Sequence, residues 1–403
     1  MAWPKLTSAQ IAASNADGGP SVIATVKAGK DPGGMAINSV TDKIYVADRD
    51  GKTLTVIDGM TNTTTTVKLP MDPGGMVVNE VTNKIYVKSW RGRNVWVLDG
   101  ATNAVTVVPT KLISGAMAVN SVTNKIYVAN SVGDGVTVID GVTNATAQVA
   151  TGWANAMVVN SATDKVYVAC ESAVGAHNGT ISVIDGATNS TSTIKMETGW
   201  RPTSMAVNPV TNKIYLTEHI EVAPGERRKP GRVMVIDGAT NAVTTIPAGI
   251  EPRGIIVNPE TDKIFVTNFD SNTVTVIDGA TNATGVVRVG LNPQWITSNT
   301  RTNKIYVTYF FLSDATHEFP FDSRGTPAPM DNSVTVIDGA LFKAATTQFP
   351  GLPVSVPIVI AVNPATNRIY ITHFPSEDVT VMDGASMNAG GIVMIDAKAA
   401  SSH

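Results

Sequence analysis

The stretch "MAINSVTDKIYVADRDGKTLTVIDG", residues Met35–Gly59, decides the fold of this 403-residue chain. It holds segments rich in β-branched and aromatic residues, separated by turn residues. Its asparagine recurs in the same context at Asn38, Asn79, Asn120, Asn160, Asn208, Asn258, Asn299 and Asn363. The spacings are 41, 41, 40, 48, 50, 41 and 64 residues. A repeat of this length without helical periodicity is typical of a four-stranded propeller blade.

Each copy divides into four predicted strands, a to d, but the eighth copy has no strand d after its strand c. The N-terminal segment supplies one, because Val26 precedes Asn38 by the same interval that separates Val67 from Asn79. We therefore predict that Ser21–Lys27 is the outer strand of the last blade and closes the ring. The prediction is an eight-bladed, all-β propeller; seven blades with one irregular copy is the alternative.

The repeat covers most of the chain. We expect a flexible segment at residues 1–20, a single propeller domain at 21–390, and an extra strand or a C-terminal tail at 391–403. The net charge of −3 gives no reason to expect a nucleic-acid partner. No apolar run is long enough for a transmembrane helix. The single cysteine, Cys170, excludes an intrachain disulfide. We favour a monomer, with the oligomeric state left open.

The ends of strand b carry a recognisable motif. They read "YVAN" (Tyr127–Asn130), "FVTN" (Phe265–Asn268), "YVTY" (Tyr306–Tyr309) and "YLTE" (Tyr215–Glu218). With the repeat around them, they resemble the YVTN family of β-propeller repeats over roughly residues 21–385. The resemblance implies a surface-layer-like, periplasmic or secreted propeller and no particular activity. We expect a periplasmic or extracellular location, although residues 1–20 lack a signal-peptide pattern and a cytoplasmic location stays open.

The two rims of the predicted ring differ. Turns a–b and c–d share one rim, here called the turn rim, and they repeat the same Lys and Asp-Gly positions. Links b–c and d–a share the opposite rim, here called the loop rim. Links b–c are seven residues long except in copies four, five and seven, where they have 12, 16 and 26. Apart from the terminal His403, every histidine lies in a b–c link. We therefore place the functional site on the loop rim.

One position near the end of strand b varies in chemistry. It is occupied by Asp48, Ser89, Asn130, Cys170, Glu218, Asn268, Tyr309 and His373. Because adjacent blades bring these residues near one another, the candidate catalytic residues are His373, Glu218, Asp48 and Tyr309. His373 would be the base, Asp48 its orienting partner, and Tyr309 or Glu218 the proton donor. Cys170 is more readily a packed, inert residue than a nucleophile.

Substrate-binding candidates are the arginines and tryptophans of the loop rim, namely Arg201, Arg253, Trp90, Trp153, Trp200 and Trp295. The arginines could hold a carboxylate. A divalent metal ion is an alternative cofactor, and its candidate ligands are His219, His373, Glu218, His177 and His317. No local metal-binding motif supports that set.

These residues favour a small-molecule-binding propeller with its site in the funnel of the loop rim. They favour, without requiring, an enzyme of lyase or hydrolase type that uses a metal or His/carboxylate acid–base catalysis. The alternative is a non-catalytic surface or periplasmic scaffold that binds a protein or a glycan.

Overall fold

The computed structural model describes residues 22–386, except 91, 112, 131–134, 172–178, 223–225, 227, 310–332, 349–355 and 375, and also residues 395–396. It is an all-β propeller of eight four-stranded antiparallel blades, as the repeat predicts. The predicted segment at residues 1–20 and most of the one at 391–403 lie outside the described residues.

The first four blades follow the chain in the order a, b, c, d. Blade 1 contains β2 (Pro32–Asn38), β3 (Lys43–Asp48), β4 (Thr53–Asp58) and β5 (Thr64–Lys68). Blade 2 contains β6 (Pro73–Asn79), β7 (Lys84–Ser89), β8 (Asn94–Asp99) and β9 (Val105–Pro109). Blade 3 contains β10 (Ile113–Asn120), β11 (Lys125–Asn130), β12 (Val136–Asp140) and β13 (Thr146–Val149). Blade 4 contains β14 (Trp153–Asn160), β15 (Lys165–Glu171), β16 (Thr180–Asp185) and β17 (Thr191–Lys195).

The next three blades keep this order, and the eighth does not. Blade 5 contains β18 (Trp200–Asn208), β19 (Lys213–Ile220), β20 (Pro230–Asp237) and β21 (Val243–Ile250). Blade 6 contains β22 (Pro252–Asn258), β23 (Lys263–Asn268), β24 (Thr273–Asp278) and β25 (Thr284–Arg288). Blade 7 contains β26 (Pro293–Asn299), β27 (Lys304–Tyr309), β28 (Ser333–Asp338) and β29 (Ala344–Gln348). Blade 8 contains β30 (Val356–Asn363), β31 (Arg368–Phe374), β32 (Asp378–Asp383) and, as its strand d, β1 (Val22–Lys27).

Two short elements complete the description. A 3₁₀ turn, η1 (Gly384–Ser386), follows β32, and the two-residue strand β33 (Ile395–Asp396) pairs with β25 at the outer edge of blade 6. In the described part of the chain, no helix has the length and apolar character needed to cross a bilayer.

The closure of the ring is the predicted one. Strand β1 pairs antiparallel with β32, with Val26 opposite Val379. Val26 is buried and packs with Ile44, Tyr370 and Val379 in the gap between blades 8 and 1. The N-terminal strand therefore gives blade 8 its fourth strand and covers an edge that would otherwise lack partners.

Packing between the blades follows from strand alternation. Strand a of each blade contacts strand a of the next, so these strands line the central channel. Strands b and c are buried on both faces, which is why they read as nearly continuous apolar runs. Alternate residues of strand b, such as Ile44 and Tyr45, enter the gaps to the preceding and the following blade. The core is therefore a ring of eight gaps.

The repeating asparagine links each blade to the next. Asn38 is buried, its Nδ2 donates to Asn83 Oδ1 of blade 2 at 2.9 Å, and its Oδ1 accepts the backbone N–H of Val40 at 3.1 Å. The other seven donor–acceptor pairs are Asn79–Asn124, Asn120–Asp164, Asn160–Asn212, Asn208–Asp262, Asn258–Asn303, Asn299–Asn367 and Asn363–Asp42. The last pair joins blade 8 to blade 1. We call this closed set of eight hydrogen bonds the asparagine belt.

The lysines of the turn rim also link blades. Lys84 Nζ donates to the carbonyl of Gly141 at 3.3 Å, and Lys165 Nζ to that of Gly238 at 3.1 Å. Each accepting glycine follows the Asp that opens a c–d turn, such as Asp140 before Gly141. The repeated Lys and Asp-Gly positions of this rim are therefore parts of the frame.

We expect Asn79→Leu to lower the free energy of unfolding by about 1–3 kcal/mol. The change removes the bond to Asn124 and leaves the N–H of Val81 without its side-chain acceptor. Urea unfolding followed by circular dichroism measures the loss. Val81→Thr is the control, because Val81 is exposed in the same turn. Equal stability of the two variants would contradict a structural role for the belt.

We expect Val26→Asp in the complete chain to lower the free energy of unfolding by more than about 2 kcal/mol, because it places a carboxylate in the gap between blades 8 and 1. Thr25→Asp, one residue earlier on the exposed face of β1, should change it by less than about 0.5 kcal/mol. Urea unfolding compares the two. A harmless Val26→Asp would mean that β1 does not close the ring.

Candidate functional site

The eight variable residues near the end of strand b are sequestered from solvent. None of Asp48, Ser89, Asn130, Cys170, Glu218, Asn268, Tyr309 and His373 is more than 2% exposed. Because strand residues alternate, Asp48 follows Ile44 and Val46 into the gap between blades 8 and 1. His373 follows Ile369 and Ile371 into the gap between blades 7 and 8. The structure therefore places these two candidate catalytic residues in different gaps.

Two of these residues make equivalent hydrogen bonds in their blades. Asp48 accepts hydrogen bonds from the N–H of Gly29 at 3.0 Å and from the hydroxyls of Thr53 and Thr55. Asn268 bonds the equivalent atoms of Gly249, Thr273 and Thr275. Burial raises the pKa of Asp48, and the three donors oppose that rise. Asp48 thus fastens a d–a link to strand c, as an asparagine does in blade 6.

Three further members of the set are also tied to strand c of their own blade. His373 Nε2 lies 2.8 Å from Thr380 Oγ1, and burial lowers the pKa of the imidazole to about 4. The hydroxyl of Tyr309 bonds Thr335 and accepts the N–H of Gly290. Cys170 lies 3.8 Å from Ser182, and burial raises the pKa of its thiol. Such enclosed groups lack access to a ligand in the funnel.

Glu218 is held by an arginine because blade 5 has Arg232 where blade 1 has Thr53, and it has Met234 in place of the second hydroxyl partner, Thr55. Its Oε2 accepts from Arg232 Nε at 2.6 Å. The guanidinium of Arg232 stacks 3.9 Å above the ring of Trp200 and also pairs with Glu197. Burial raises the pKa of Glu218, and the bond from Arg232 opposes that effect. The buried carboxylate thus joins strands b and c of blade 5.

The insertion in copy five extends a sheet. Strands β18 to β21 have 9, 8, 8 and 8 residues, against 7, 6, 6 and 5 in blade 1. The additional pairs Arg201↔His219 and Pro230↔Ile250 lie on the loop rim. Blade 5 therefore stands taller than blade 1 on this side and carries His219 above the buried layer.

The residue after the buried position reaches the mouth of the channel. Strand a of every blade has a β-bulge, seen as a register shift, at its loop-rim end. The residue after the buried position lies next to this bulge. Three contacts illustrate the pairing: Arg49 with Gly33, His219 with Thr203, and Phe269 with Arg253. A change of one position along strand b thus moves a side chain from the gap to the preceding blade to a place beside the bulge of strand a.

The bulge residues form a ring around this mouth, here called the bulge ring. It consists of Gly33, Gly74, Gly115, Asn155, Thr203, Arg253, Gln294 and Ile358. We call Gly33, Gly74 and Gly115 of blades 1–3 the glycine arc. We call Asn155, Thr203, Arg253 and Gln294 of blades 4–7 the polar arc.

The side chains of the polar arc are held in place. Asn155 Nδ2 donates to Pro202 O at 2.9 Å, and Thr203 Oγ1 lies 3.1 Å from His219 Nδ1. Arg253 stacks 3.8 Å over Phe269 and donates to Gln294 Oε1 at 2.5 Å. Four hydrogen-bonding side chains on neighbouring blades are therefore preorganised at one side of the mouth.

His219 lies in a field of paired charges. Burial lowers the pKa of its imidazole; Glu251 raises it, while Arg201, Arg253 and Arg228 lower it further. The arginines have their own partners: Arg201 pairs with Glu221 at 2.5 Å, Arg253 with Glu251, and Arg228 with both Glu251 and Asp270. The result is a neutral histidine at neutral pH, beside arginines whose charge is already compensated.

The four candidate tryptophans have different environments. Trp90 is 50% exposed on the loop rim of blade 2. Trp153 is partly buried at the start of β14, opposite Glu171. Trp200 lies under Arg232, and Trp295 packs against the core between blades 7 and 8. They are therefore spread around the rim and do not form one aromatic cage.

The expected metal site finds no support among the described residues. They contain no group of three or more His, Cys, Asp or Glu side chains that could hold a metal ion. His219 lies at the mouth and His373 in a gap between blades. His177 and His317 lie outside the described residues.

One residue of the mouth was missed by the sequence interpretation. Lys88 of β7 stands where the other copies have Ala47, Ala129, Ala169, Thr217, Thr267, Thr308 and Thr372. Aligning the eight copies at the residue before the variable position would have shown that only copy two has a charged residue there.

The turn rim carries a small cleft. A cleft of about 170 Å³ between blades 6 and 7 is lined by Lys263, Val276, Asp278, Ala283, Thr284, Gly285 and Phe342. Ligand sites usually enclose about 300–1,000 Å³, so this cleft does not replace the mouth as a candidate site.

Known structures share this fold. The chain matches dihydro-heme d1 dehydrogenase NirN in complex with DHE over 98% of its own length and 82% of that chain, at 13% identity and a TM-score of 0.62. It matches hydrazine synthase of Kuenenia stuttgartiensis over 69% and 92%, at 16% identity and a TM-score of 0.58. Apo AztD from Citrobacter koseri matches over 79% and 87%, at 14% and 0.52.

At these identities the structural likeness supports the propeller fold alone. No protein-family model matches the chain, and no curated protein matches it by sequence. The propeller fold is therefore what the compared structures share with this chain.

We expect His373→Asn to flatten the pH dependence of stability between pH 6.5 and 4. The folded pKa, about 4, is below the ordinary 6.5, so the unfolded chain binds more protons in this window and acid destabilises the wild type. The variant keeps an amide for Thr380, as Asn268 does for Thr275. Urea unfolding at both pH values should show the wild type losing up to roughly 3 kcal/mol more than the variant. Parallel curves would contradict a buried, neutral His373.

Proposed function

We propose that the protein binds a small molecule at the mouth of the channel, through the polar arc and His219. The observation that carries this is the contrast between a uniform frame and a bulge ring that changes residue type from blade to blade. Thr203, Arg253 and Gln294 each place hydrogen-bonding side-chain atoms where the glycine arc has only backbone. Few preorganised polar groups in a concave mouth are typical of ligand sites.

His219 is the central group of this proposal. Thr203 orients its Nδ1, and its Nε2 makes no hydrogen bond to any described residue. Because the lowered pKa keeps the imidazole neutral, Nε2 can donate or accept a hydrogen bond at neutral pH. A turnover of lyase or hydrolase type would use this nitrogen for proton transfer, in place of the buried His373.

The ion pairs of the arginines indicate which chemical groups of a ligand the polar arc would bind. Arg253 is shared between Glu251 and Gln294, and Arg201 is paired with Glu221. Compensated arginines attract an additional carboxylate weakly, so the polar arc suits hydroxyl, carbonyl or amide groups.

The repeat supports a second proposal, that the chain belongs to the YVTN type of propeller repeats and acts in the periplasm or outside the cell. Its support is the motif at the end of strand b in several blades, with Tyr127 and Tyr215 buried in the gaps. The motif concerns the frame and adds nothing to the identity of the ligand.

A thermal-shift screen of hydroxy acids, amides and sugar phosphates tests the binding proposal. A ligand near a hundred times its Kd stabilises a protein by about 2.7 kcal/mol, a shift of several degrees. We expect His219→Ala to weaken such a ligand at least tenfold, since it removes a buried hydrogen-bond partner. His373→Asn is the control and should bind like the wild type.

A ligand whose shift survives both His219→Ala and Arg253→Gln would exclude the polar arc as the site. A stoichiometric protein or glycan partner in a pull-down, with no compound bound, would favour the scaffold alternative.

A further inference from the structure

The glycine arc carries two cations that have no carboxylate partner among the described residues. They are Arg49, the first residue after β3, and Lys88 in β7, and neither takes part in an ion pair. Blades 5 and 6 differ, because Arg201, Arg228, Arg232 and Arg253 are all paired with acidic groups. Among the described residues, positive charge at the mouth is therefore uncompensated on blades 1 and 2 and compensated on blades 5 and 6.

Arg49 lies over the bulge of its own blade. A Cβ added to Gly33 would be 2.0 Å from Arg49 Nε and 2.6 Å from Arg49 Cζ. The glycine thus makes room for the guanidinium beside strand a, which lines the channel. Any other residue at this bulge would push the arginine away.

Lys88 crosses from blade 2 to the bulge of blade 3. Its Nζ donates to the carbonyl of Gly115 at 2.6 Å. Its methylenes cover Gly74 and Gly75, since a Cβ on Gly74 would be 3.2 Å from Lys88 Cε. An ammonium has three donors, and Gly115 takes one of them. Two N–H groups remain for a ligand.

The two cations belong to one continuous wall. A Cβ on Gly34 would be 3.1 Å from the carbonyl oxygen of Gly74 and 3.3 Å from Gly75 Cα. Strands a of blades 1 and 2 therefore touch at the glycine pairs that carry Arg49 and Lys88. Glycine lets a ligand approach the backbone closely.

Two neighbouring carboxylates, Asp48 and Asp50, are engaged elsewhere. Both oxygens of Asp48 accept hydrogen bonds from Gly29, Thr53 and Thr55. Asp50 lies 3.8 Å from Lys30 on the exposed surface. Burial lowers the pKa of Lys88, as expected for an ammonium without a counter-ion. An anion would supply the missing charge.

We propose that the glycine arc binds an oxyanion group, a phosphoryl or a carboxylate, through Arg49 and Lys88. The proposal deepens the proposed function and rests on it: the ligand of the mouth would carry its anion on blades 1 and 2 and its neutral polar groups on the polar arc. A guanidinium and an ammonium on adjacent blades are suited to oxygen atoms that share a negative charge.

Isothermal titration calorimetry of the complete chain with inorganic phosphate at low ionic strength tests the site, and a second titration with succinate compares a carboxylate. We expect saturable binding of one or both. Lys88→Ala and Arg49→Gln should each weaken it by about tenfold or more, as the loss of a charge-assisted hydrogen bond does. Lys88→Ala installs the residue that blades 1, 3 and 4 have, so folding should be retained.

The matched control is Lys84→Ala. Lys84 lies on the same strand and also donates to a glycine carbonyl of blade 3, but on the turn rim. Unchanged affinity in this variant, with loss in Lys88→Ala, supports the proposal. Equal losses in both variants, or no binding of either probe by the wild type, overturn it.

A third variant separates this proposal from the proposed function. His219→Ala should retain phosphate or succinate affinity, because it leaves both cations in place. If it retains the anion and no larger ligand of the mouth is found, the anion site stands and the proposed function fails. If a larger ligand binds through His219 yet is indifferent to Lys88→Ala and Arg49→Gln, the anion site fails.

Discussion

The asparagine belt is the interaction on which the rest of the structure depends. In each blade one buried amide turns strand a towards strand b and, through its Nδ2, reaches the next blade. Its acceptor, four residues after the asparagine of its own blade, has a positive φ, as Asp42 and Asn83 do, which Asx residues tolerate well. A buried amide must find all its partners. The belt therefore fixes the angle between blades and leaves the other rim free to vary.

The loop rim shows what that freedom permits. With the belt and the apolar gaps constant, the bulge of strand a can hold Gly33 in one blade and Arg253 in another without a change in the sheet. Bulges re-aim side chains and are common next to functional sites. The mouth thus acquires an uneven distribution of chemistry, although the frame beneath it has nearly eightfold symmetry.

The fold could be predicted from the sequence because strands b and c recur with the same residue pattern in all eight copies. Val26 also precedes Asn38 by the interval that separates Val67 from Asn79. The functional site was harder to predict. The variable position near the end of strand b, represented by Asp48 and His373, faces the gap to the preceding blade. The residue that follows it lies beside the bulge of strand a, as Arg49 and His219 do. Side chains on a strand alternate, so one position decides between the two environments. The bulge opposite is invisible in the spacing of the repeat, because all eight copies contain it.

Blade 5 shows the same effect of strand alternation. Glu218 and His219 stand next to each other where the long b–c link was predicted to begin. If both belonged to a loop, both would be accessible to a ligand. The ladder continues through them, so Glu218 is enclosed with Arg232 and His219 emerges beside Thr203. Lys88 escaped notice for a different reason: it lies within strand b of a copy of ordinary length, and it stands out only against the small residues that the other blades have at this position.

The pairing of β1 with β32 also determines when the molecule can be complete. Seven blades consist of consecutive strands and can form from local contacts, but blade 8 must wait for the first and last strands of the ring to meet. Such distant contacts are slow because the entropy of closing the chain is lost before they form. Until then, Val379 and Val381 border an open edge that could pair with another chain. When all eight repeats have been synthesised, β32 therefore still lacks its partner. The ring is complete only when β1, the first strand to be made, pairs with it.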